Sequence, residues 1–308
     1  MAMAYHKPAL LQESVDGLSI AADGRYVDVT FGGGGHSKEI LKRLSENGRL
    51  FAFDQDPDAE DNSIEDDRFS LIAQNFSFLK NFLRMYNAIP VDGVLADLGV
   101  SFHQFDVPKR GFSFRFEGPL DMRMDQSSGI TAQEIIDSYS RGELIRIIRR
   151  YGEEKFAQRI VDNIIEARAN NSIKSTSDLA DLIKRSIPAP ARRLGGNPAK
   201  RTFQALRIEV NQELAILERA IPACLERLSV GGRMVVMSFQ SLEDKIVKNF
   251  FTQATESKTP LGLPVEIKAL SAKFSLVFNG SQKASEDEIL DNSRAKSVRL
   301  RAIERVAA

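Results

Sequence analysis

Residues 26–56 read YVDVTFGGGGHSKEILKRLSENGRLFAFDQD. An apolar run containing Asp28 leads into four glycines, Gly32 to Gly35, followed by His36. A helical pattern comes next, and a second apolar run, Leu50 to Phe53, ends on Asp54. This is the pattern of strand, glycine turn, helix and strand, with a carboxylate at the tip of the second strand. Such a unit holds a nucleoside-containing ligand over the carboxyl ends of an α/β sheet. The glycines are expected to let the backbone approach that ligand, since a Cβ there would collide with it. Asp54 lies 20 residues beyond Gly34, the usual separation for an acid that accepts hydrogen bonds from ribose hydroxyls.

Three cofactor classes use turns of this kind. A phosphate loop needs Lys followed by Ser or Thr at the helix start, whereas here Lys38 comes after Ser37, out of place for β- and γ-phosphates. A dinucleotide site wants a third glycine near position 37, where this chain has Ser37. What remains is acid, small residue and spaced glycines, Asp28, Thr30, Gly32 and Gly34. It is similar to the first motif of Rossmann-like methyltransferases that bind S-adenosylmethionine. A cofactor without phosphates needs no Lys and no deep anion nest. It needs a turn beside its amino-acid tail and an acid for its ribose.

The bulk properties narrow the class. A length of 308 residues gives room for one large domain or two ordinary ones. Hydrophobic content of 43% with 27% charged residues fits a soluble globular chain. The apolar run Pro8–Leu11 is too short for a signal peptide, and nothing approaches membrane-spanning length. A single cysteine, Cys224, excludes an internal disulfide and suits the cytoplasm. His6, His36 and His103 lack metal-ligand spacing, so no metal is expected.

Zero net charge conceals an uneven distribution. Residues 105–205 carry 18 Lys and Arg against 13 Asp and Glu, a net of +5, which leaves −5 for the remainder. Between Leu182 and Ile208 stand Lys184, Arg185, Arg192, Arg193, Lys200, Arg201 and Arg207 with no acid. A run of one sign is the footprint of a polyanion, and nucleic acid is the expected partner.

Strand and helix patterns alternate through the first third. Candidate strands are 26–30, 50–54, 69–73 and 93–97, with helical segments after the first three, which argues for a parallel sheet covered on both faces. Residues 101–124 read as a long loop. From Thr131 to Ser186 the apolar period is helical, with Thr131 and Glu134 at capping-box spacing and Ser177 as a cap. A long helix over 201–228 leads to a fifth strand, 233–239, and 265–270 with 273–278 could close the sheet as an antiparallel pair. Residues 254–264, 281–292 and the tail after Ala302 read as mobile. The expected organisation is an α/β domain over 1–104 and 206–308, interrupted by an all-helical substrate-recognition insert over 105–205.

The fourth strand ends DGVLADLGVS and brings Asp97 beside the donor methyl. Methyl transfer to an aromatic amine such as cytosine N4 requires orientation, because the nitrogen lone pair is delocalised into the ring. A carboxylate or carbonyl at Asp97–Gly99 can accept from the amine as positive charge develops. Attack at cytosine C5 would need a cysteine near this loop, and Cys224 falls on a helix pattern instead. In the following loop Phe112, Phe114 and Phe116 alternate with polar residues ahead of Asp121, Arg123 and Asp125. These aromatics either stack an extruded base or form core beneath the insert.

Beyond the glycine motif, the stretches YHKPALLQESVDGL, DQDPDA, RGFSFRFEGPLDMRMD, YGEEKFAQRI, NPAKRTFQALRIEVNQEL, GGRMVVMSFQSLED and SRAKSVRLRAIER occur in family order along nearly the whole chain. They resemble the bacterial 16S rRNA (cytosine-N4)-methyltransferase family, RsmH or MraW. The resemblance implies a Rossmann-like class I sheet and methylation of N4 of cytidine 1402 in the decoding centre of the small ribosomal subunit. It also implies cofactor contacts at Gly34, Gly35 and His36 for the amino-acid moiety, Asp54 for the ribose and Phe76 for the adenine region, with Asp97 and Gln104. Candidate RNA contacts are Phe112, Phe114, Asp121, Arg123, Arg192 and Arg193. The chain departs from the family pattern at Phe102-His103 and at Gln240, where an imidazole is usual; Gln cannot shuttle a proton. A DNA or protein target and a non-catalytic RNA-binding module are the competing readings, and homodimer formation is left open.

Overall fold

The computed structural model describes residues 8–193, 196–260, 267 and 270–308. The chain divides into two compact units, Met1–Gly99 with Leu214–Ala308, and Val100–Glu213. The sequence pattern set the corresponding joins at 105 and 205. The first unit carries the strands β1 (Arg25–Asp28), β2 (Arg49–Phe53), β3 (Phe69–Ile72), β4 (Val91–Asp97), β5 (Leu228–Ser238), β6 (Phe274–Leu276) and β7 (Arg299–Arg305). Helices α1 (Leu11–Gly17), α2 (Gly35–Arg43) and α3 (Leu79–Met85) belong to its first stretch. The second unit holds α4 (Phe102–Asp106), α5 (Ala132–Ser138), α6 (Arg141–Arg150), α7 (Ala157–Ala169), α8 (Thr176–Ser186), α9 (Ala189–Arg193) and α10 (Lys200–Asn211). After it come α11 (Glu213–Leu225), α12 (Ser241–Thr255) and α13 (Glu286–Asp291).

The strands form one sheet in the order β3-β2-β1-β4-β5-β7-β6. Those from β3 to β5 pair in parallel, while β7 runs antiparallel to both β5 and β6. The chain winds outward through β2 and β3, then crosses back to place β4 on the other side of β1. The carboxyl ends of β1 and β4 therefore flank the switch point, where connections leave in opposite directions and open a crevice.

Alternate residues of each central strand enter two different cores. Val27, Phe51, Val94 and Val236 pack with α3, α11 and α12, whereas Tyr26, Leu50, Leu95 and Val235 pack with α1 and α2. Burial on both faces explains the near-continuous apolar strands.

Several expectations are corrected. Only a short 3-10 turn, Pro57–Asn62, follows β2. The helix expected over 201–228 is two helices, broken at Gln212, which adopts a left-handed φ of 49°. Of the tail after Ala302, residues 303–305 belong to β7 within the sheet, and the polar stretch 281–292 contains α13. The expected strand 265–270 lies outside the described residues except at 267 and 270; β6 takes β7 as its partner.

In the second unit α6 lies against α7 and α10, and α7 against α8, around Ile135, Leu144, Ile147, Ile160, Leu179 and Leu206. Helices α4, α5, α6 and α8 start on reciprocal caps. Thr131 Oγ1 accepts from Glu134 N, as expected, but α8 starts on Ser175 rather than Ser177. Each cap satisfies amides that a helix start leaves free.

The loop preceding α5 is anchored from within. The buried guanidinium of Arg110 donates to the carbonyls of Arg123 and Met124. Asn211 accepts from Met124 N and donates to Met122 O. Gly111 has φ +75°, and a Cβ there would come within 2.1 Å of Pro119 O. Gly129 has φ +84° with nothing within 4 Å. Gly129→Ala is therefore expected to cost about 1–2 kcal/mol, the left-handed penalty alone. Gly111→Ala adds a backbone clash and should cost at least about 3 kcal/mol. Denaturant melts of the two variants check this, and equal costs would refute it.

Candidate active site

Every acid singled out in residues 26–97 sits at or just beyond the carboxyl end of a parallel strand. Asp28 ends β1, Asp54 follows β2 and Asp97 ends β4. Gly34 is the left-handed N-cap of α2, with φ 73°. A Cβ on it would lie 2.9 Å from the Phe31 ring, and one on Gly35 would lie 2.3 Å from Pro8. Packing within the protein is thus by itself a reason for glycine at these two positions, beside the close approach of a ligand expected from the sequence. Gly32 differs. It has φ +51° and nothing within 4 Å of a Cβ, so the turn presents open space there.

Asp28 is fully buried and organises the turn. Its carboxylate accepts from Ser37 Oγ at 2.8 Å and Thr30 N at 3.1 Å. Burial pushes it up to about 6 despite these donors. Thr30 Oγ1 accepts from the backbone N of Asp97 at 2.6 Å, tying the end of β4 to the turn after β1. Asp54 Oδ2 accepts from Gly32 N at 2.7 Å, and its Oδ1 accepts from Asp56 N at 2.9 Å. Burial raises this group to about 6, opposed by those two amides. Each oxygen keeps a second lone pair for a hydroxyl donor.

Asp97 has the most perturbed carboxyl of the three. Burial pushes it up to about 8, and the charges of Asp28 and Glu243 add to the effect. Its Oδ2 lies 3.7 Å from Nδ1 of His36, which burial lowers to about 4. At neutral pH the imidazole is uncharged, so it gives Asp97 no counter-ion. Asp97 Oδ1 and His36 Nε2 are both buried without a hydrogen-bond partner. A buried carboxyl with an idle oxygen is poised for a donor or a cation from outside the chain.

Glu243 had no role assigned from sequence. Its Oε2 accepts from the backbone N of Phe239 and of Gln240, fixing the turn from β5 into α12. Gln240 is the N-cap of α12. Phe76 starts a 3-10 turn after β3 and packs half-buried against the sheet core. Beside it Asn75 Nδ2 donates to Gln55 Oε1 at 2.6 Å, bridging the ends of β2 and β3. Thr30, Ser37, Gln55 and Asn75 were missed as well. Their common signal is a polar residue between the end of a parallel strand and the first turn of the next helix.

The remaining candidates lie in the second unit. Gln104 forms a capping box with Ser101 at the start of α4. Phe112 is buried edge-on to Phe105, and Phe114 meets Phe203 at 5.8 Å in the helical core. The core reading of these two rings prevails over base stacking, while Phe116 is exposed. Asp121 accepts from Arg123 Nε at 2.7 Å, so each occupies the other. Arg192 is half-buried on α9 with Arg193 next to it in sequence. Arg207 leaves the basic run, being buried in a bidentate pair with Glu213. Cys224 is buried on α11, and burial pushes its thiol up to about 12, so it is no nucleophile.

A sheet wound in this order, with acids instead of cations at its switch point, defines a Rossmann-like methyltransferase. The model of the MraW methylase family matches residues 3–306. Ribosomal RNA small subunit methyltransferase H of Flavobacterium johnsoniae is 47% identical over 307 residues, covering 99% of this chain and 99% of that protein. An rRNA methylase from Streptococcus thermophilus, solved by crystallography, is 13% identical with a TM-score of 0.43 over 99% of both chains. The chain belongs to the MraW methylase family, and its cofactor is S-adenosylmethionine.

The residues fit that cofactor. The described site gathers Asp28, Asp54 and Asp97 with no Lys or Arg paired to them. Such a set repels phosphate and suits a sulfonium, an ammonium and ribose hydroxyls. The idle atoms on Asp97 and His36 and the open face of Gly32 supply the acceptors and the room.

Proposed function

We propose that this enzyme methylates N4 of cytidine 1402 in 16S rRNA, acting in the cytoplasm on the small ribosomal subunit. The observation that carries the reading is Asp97, an uncompensated carboxyl at the end of β4, hydrogen-bonded through its backbone to the glycine turn. S-adenosylmethionine, when bound, supplies an activated methyl group. Gly34, Gly35 and His36 would meet its amino-acid moiety, Asp54 its ribose, and Phe76 the adenine region, with Gln104 as a further contact. With the cationic sulfonium beside it favouring loss of the proton that burial holds on the free protein's carboxyl, Asp97 would accept a hydrogen bond from the cytosine amine and balance the charge that develops on nitrogen. Holding the amine in line supplies the rest of the acceleration.

Methyl transfer from labelled cofactor to small subunits lacking the modification tests this reading. Label appearing at N4 of that nucleotide supports it. Label in DNA or protein but not in subunits overturns it, and no label in any of them favours a binding module.

RNA would be held by the second unit. Replacing Arg192 and Arg193 by Ala is expected to weaken subunit binding and lower its salt slope, while cofactor affinity stays as in the wild type. Filter binding over a salt series checks this. An unchanged slope would mean that these two side chains touch no phosphate.

A further inference from the structure

The basic run legible in the sequence covers only part of a larger basic corner that folding assembles. Helix α6 ends in Arg149 and Arg150, both exposed, and Lys155 follows five residues after its end. Helix α10 begins with Lys200 and Arg201, also exposed. The two helix ends meet. A Cβ on Gly152 would lie 2.6 Å from Arg201 O, Gln204 Nε2 donates to Tyr151 O at 2.8 Å, and Arg201 Nη1 reaches Glu153 O at 3.5 Å. Five cations from segments some 50 residues apart in sequence are thereby gathered around one turn.

Two features mark this corner as more than a solvated surface. Among the described residues none of the five has an acid as ion-pair partner, although exposed arginines elsewhere in the unit do, as Arg141 does with Asp162 and Arg146 with Glu209. The turn itself holds two acids, Glu153 and Glu154, and Glu154 is buried with its carboxylate on Phe156 N. Lys200 and Arg201 also occupy the first turn of α10, which has no acid and no side-chain cap. Cations at a helix N-terminus face the positive end of its dipole, so this placement costs stability on its own. An anionic partner offsets that cost. Arg150 additionally lies over the Tyr151 ring, its Cζ 5.5 Å from the centroid.

We infer that the turn joining α6 to the start of α10 grips the sugar–phosphate backbone of the ribosomal RNA substrate, with Arg149, Arg150, Lys155, Lys200 and Arg201 as the phosphate contacts. This rests on the RNA substrate proposed above and assigns the surface that holds it. The grip is sequence-independent. It supplies affinity and register and leaves the choice of base to the active site.

The test uses the full-length protein with four substitutions together, Arg149→Gln, Arg150→Gln, Lys200→Gln and Arg201→Gln. A second variant, Lys245→Gln with Lys248→Gln on α12 of the other unit, is the charge control. Binding of small ribosomal subunits and of protein-free 16S rRNA is followed over a salt series, with cofactor affinity measured by calorimetry. The expected result is a loss of more than tenfold in RNA affinity, and a log–log salt slope shallower by about 0.7–0.9 for each phosphate contact removed. Cofactor affinity and the control variant should match the wild type. Wild-type slope and affinity in the four-site variant would overturn the proposal, as would an equal loss in the control. Salt-independent binding by the wild type itself would overturn the RNA reading, and the corner with it.

Discussion

Exchanging Asp97 for Asn is expected to remove most methyl transfer and yet make the cofactor-free protein more stable at alkaline pH. The carboxyl rises from 3.8 to about 8 because it is buried near Asp28 and Glu243. Between about pH 4 and pH 8 the folded chain therefore keeps a proton that the unfolded chain has released. Stability falls as pH rises through that window, because the unfolded state binds fewer protons. Asn has no proton to lose, so its advantage over Asp is small at pH 5 and largest at pH 8. The side chain is 26% exposed, which tempers the effect; a gain of about 2 kcal/mol at pH 8, or roughly 4–8 °C in melting temperature, is reasonable. Turnover should fall by about 10²–10³-fold, the scale of losing one aligned group that meets developing charge. Melting curves at the two pH values and single-turnover transfer rates check both halves. A lower melting temperature at pH 8 would show that the carboxylate holds the fold together and is not strained by it.

The opposition between activity and stability at this residue also explains what could be read from the sequence. Strand identity, the glycine turn and the acids at 28, 54 and 97 were legible because each follows from a local rule: apolar runs, φ > 0 at glycine, and an acid one step past a strand. The helical block was legible because its apolar residues recur at helical spacing and Thr131 caps it visibly. What escaped notice depends on partners distant in sequence. Strand β7 carries Arg299, Arg301 and Arg305, which disguise its buried Leu300, Ala302 and Ile303 as a polar tail. Arg301 is instead consumed by Asp244 on α12, at 2.7 and 3.1 Å. The stretches SLED and RLRAIER are thus joined as partners in one ion pair, which no local pattern reveals. Gln212 breaks the helix without glycine or proline, so no sequence signal marks it. Phe112 and Phe114 could not be divided between surface and core until Phe105 and Phe203 were found against them.

Asp54→Ala should lower S-adenosylmethionine affinity by about 1.5–3 kcal/mol, or roughly ten- to 150-fold, as suits the loss of hydrogen bonds to a charged acceptor. Two effects combine. The acceptor for the ribose disappears, and Gly32 N loses the 2.7 Å bond that holds the open part of the turn. Titration calorimetry with Asp54→Asn separates them, since Asn keeps one oxygen for a donor but no charge, and an intermediate affinity is expected. The pH dependence identifies the group independently. The carboxyl stands at about 6 in the free protein, so below pH 6 it takes up a proton and accepts less well. Wild-type affinity should therefore fall as pH drops through 6, and the Ala variant should lose that dependence. Asp28 is raised to the same region but already accepts from Ser37 and Thr30 inside the turn. A pH dependence that survives in the Ala variant would pass the titration to Asp28, and unchanged affinity at pH 7.5 would remove Asp54 from the ribose site.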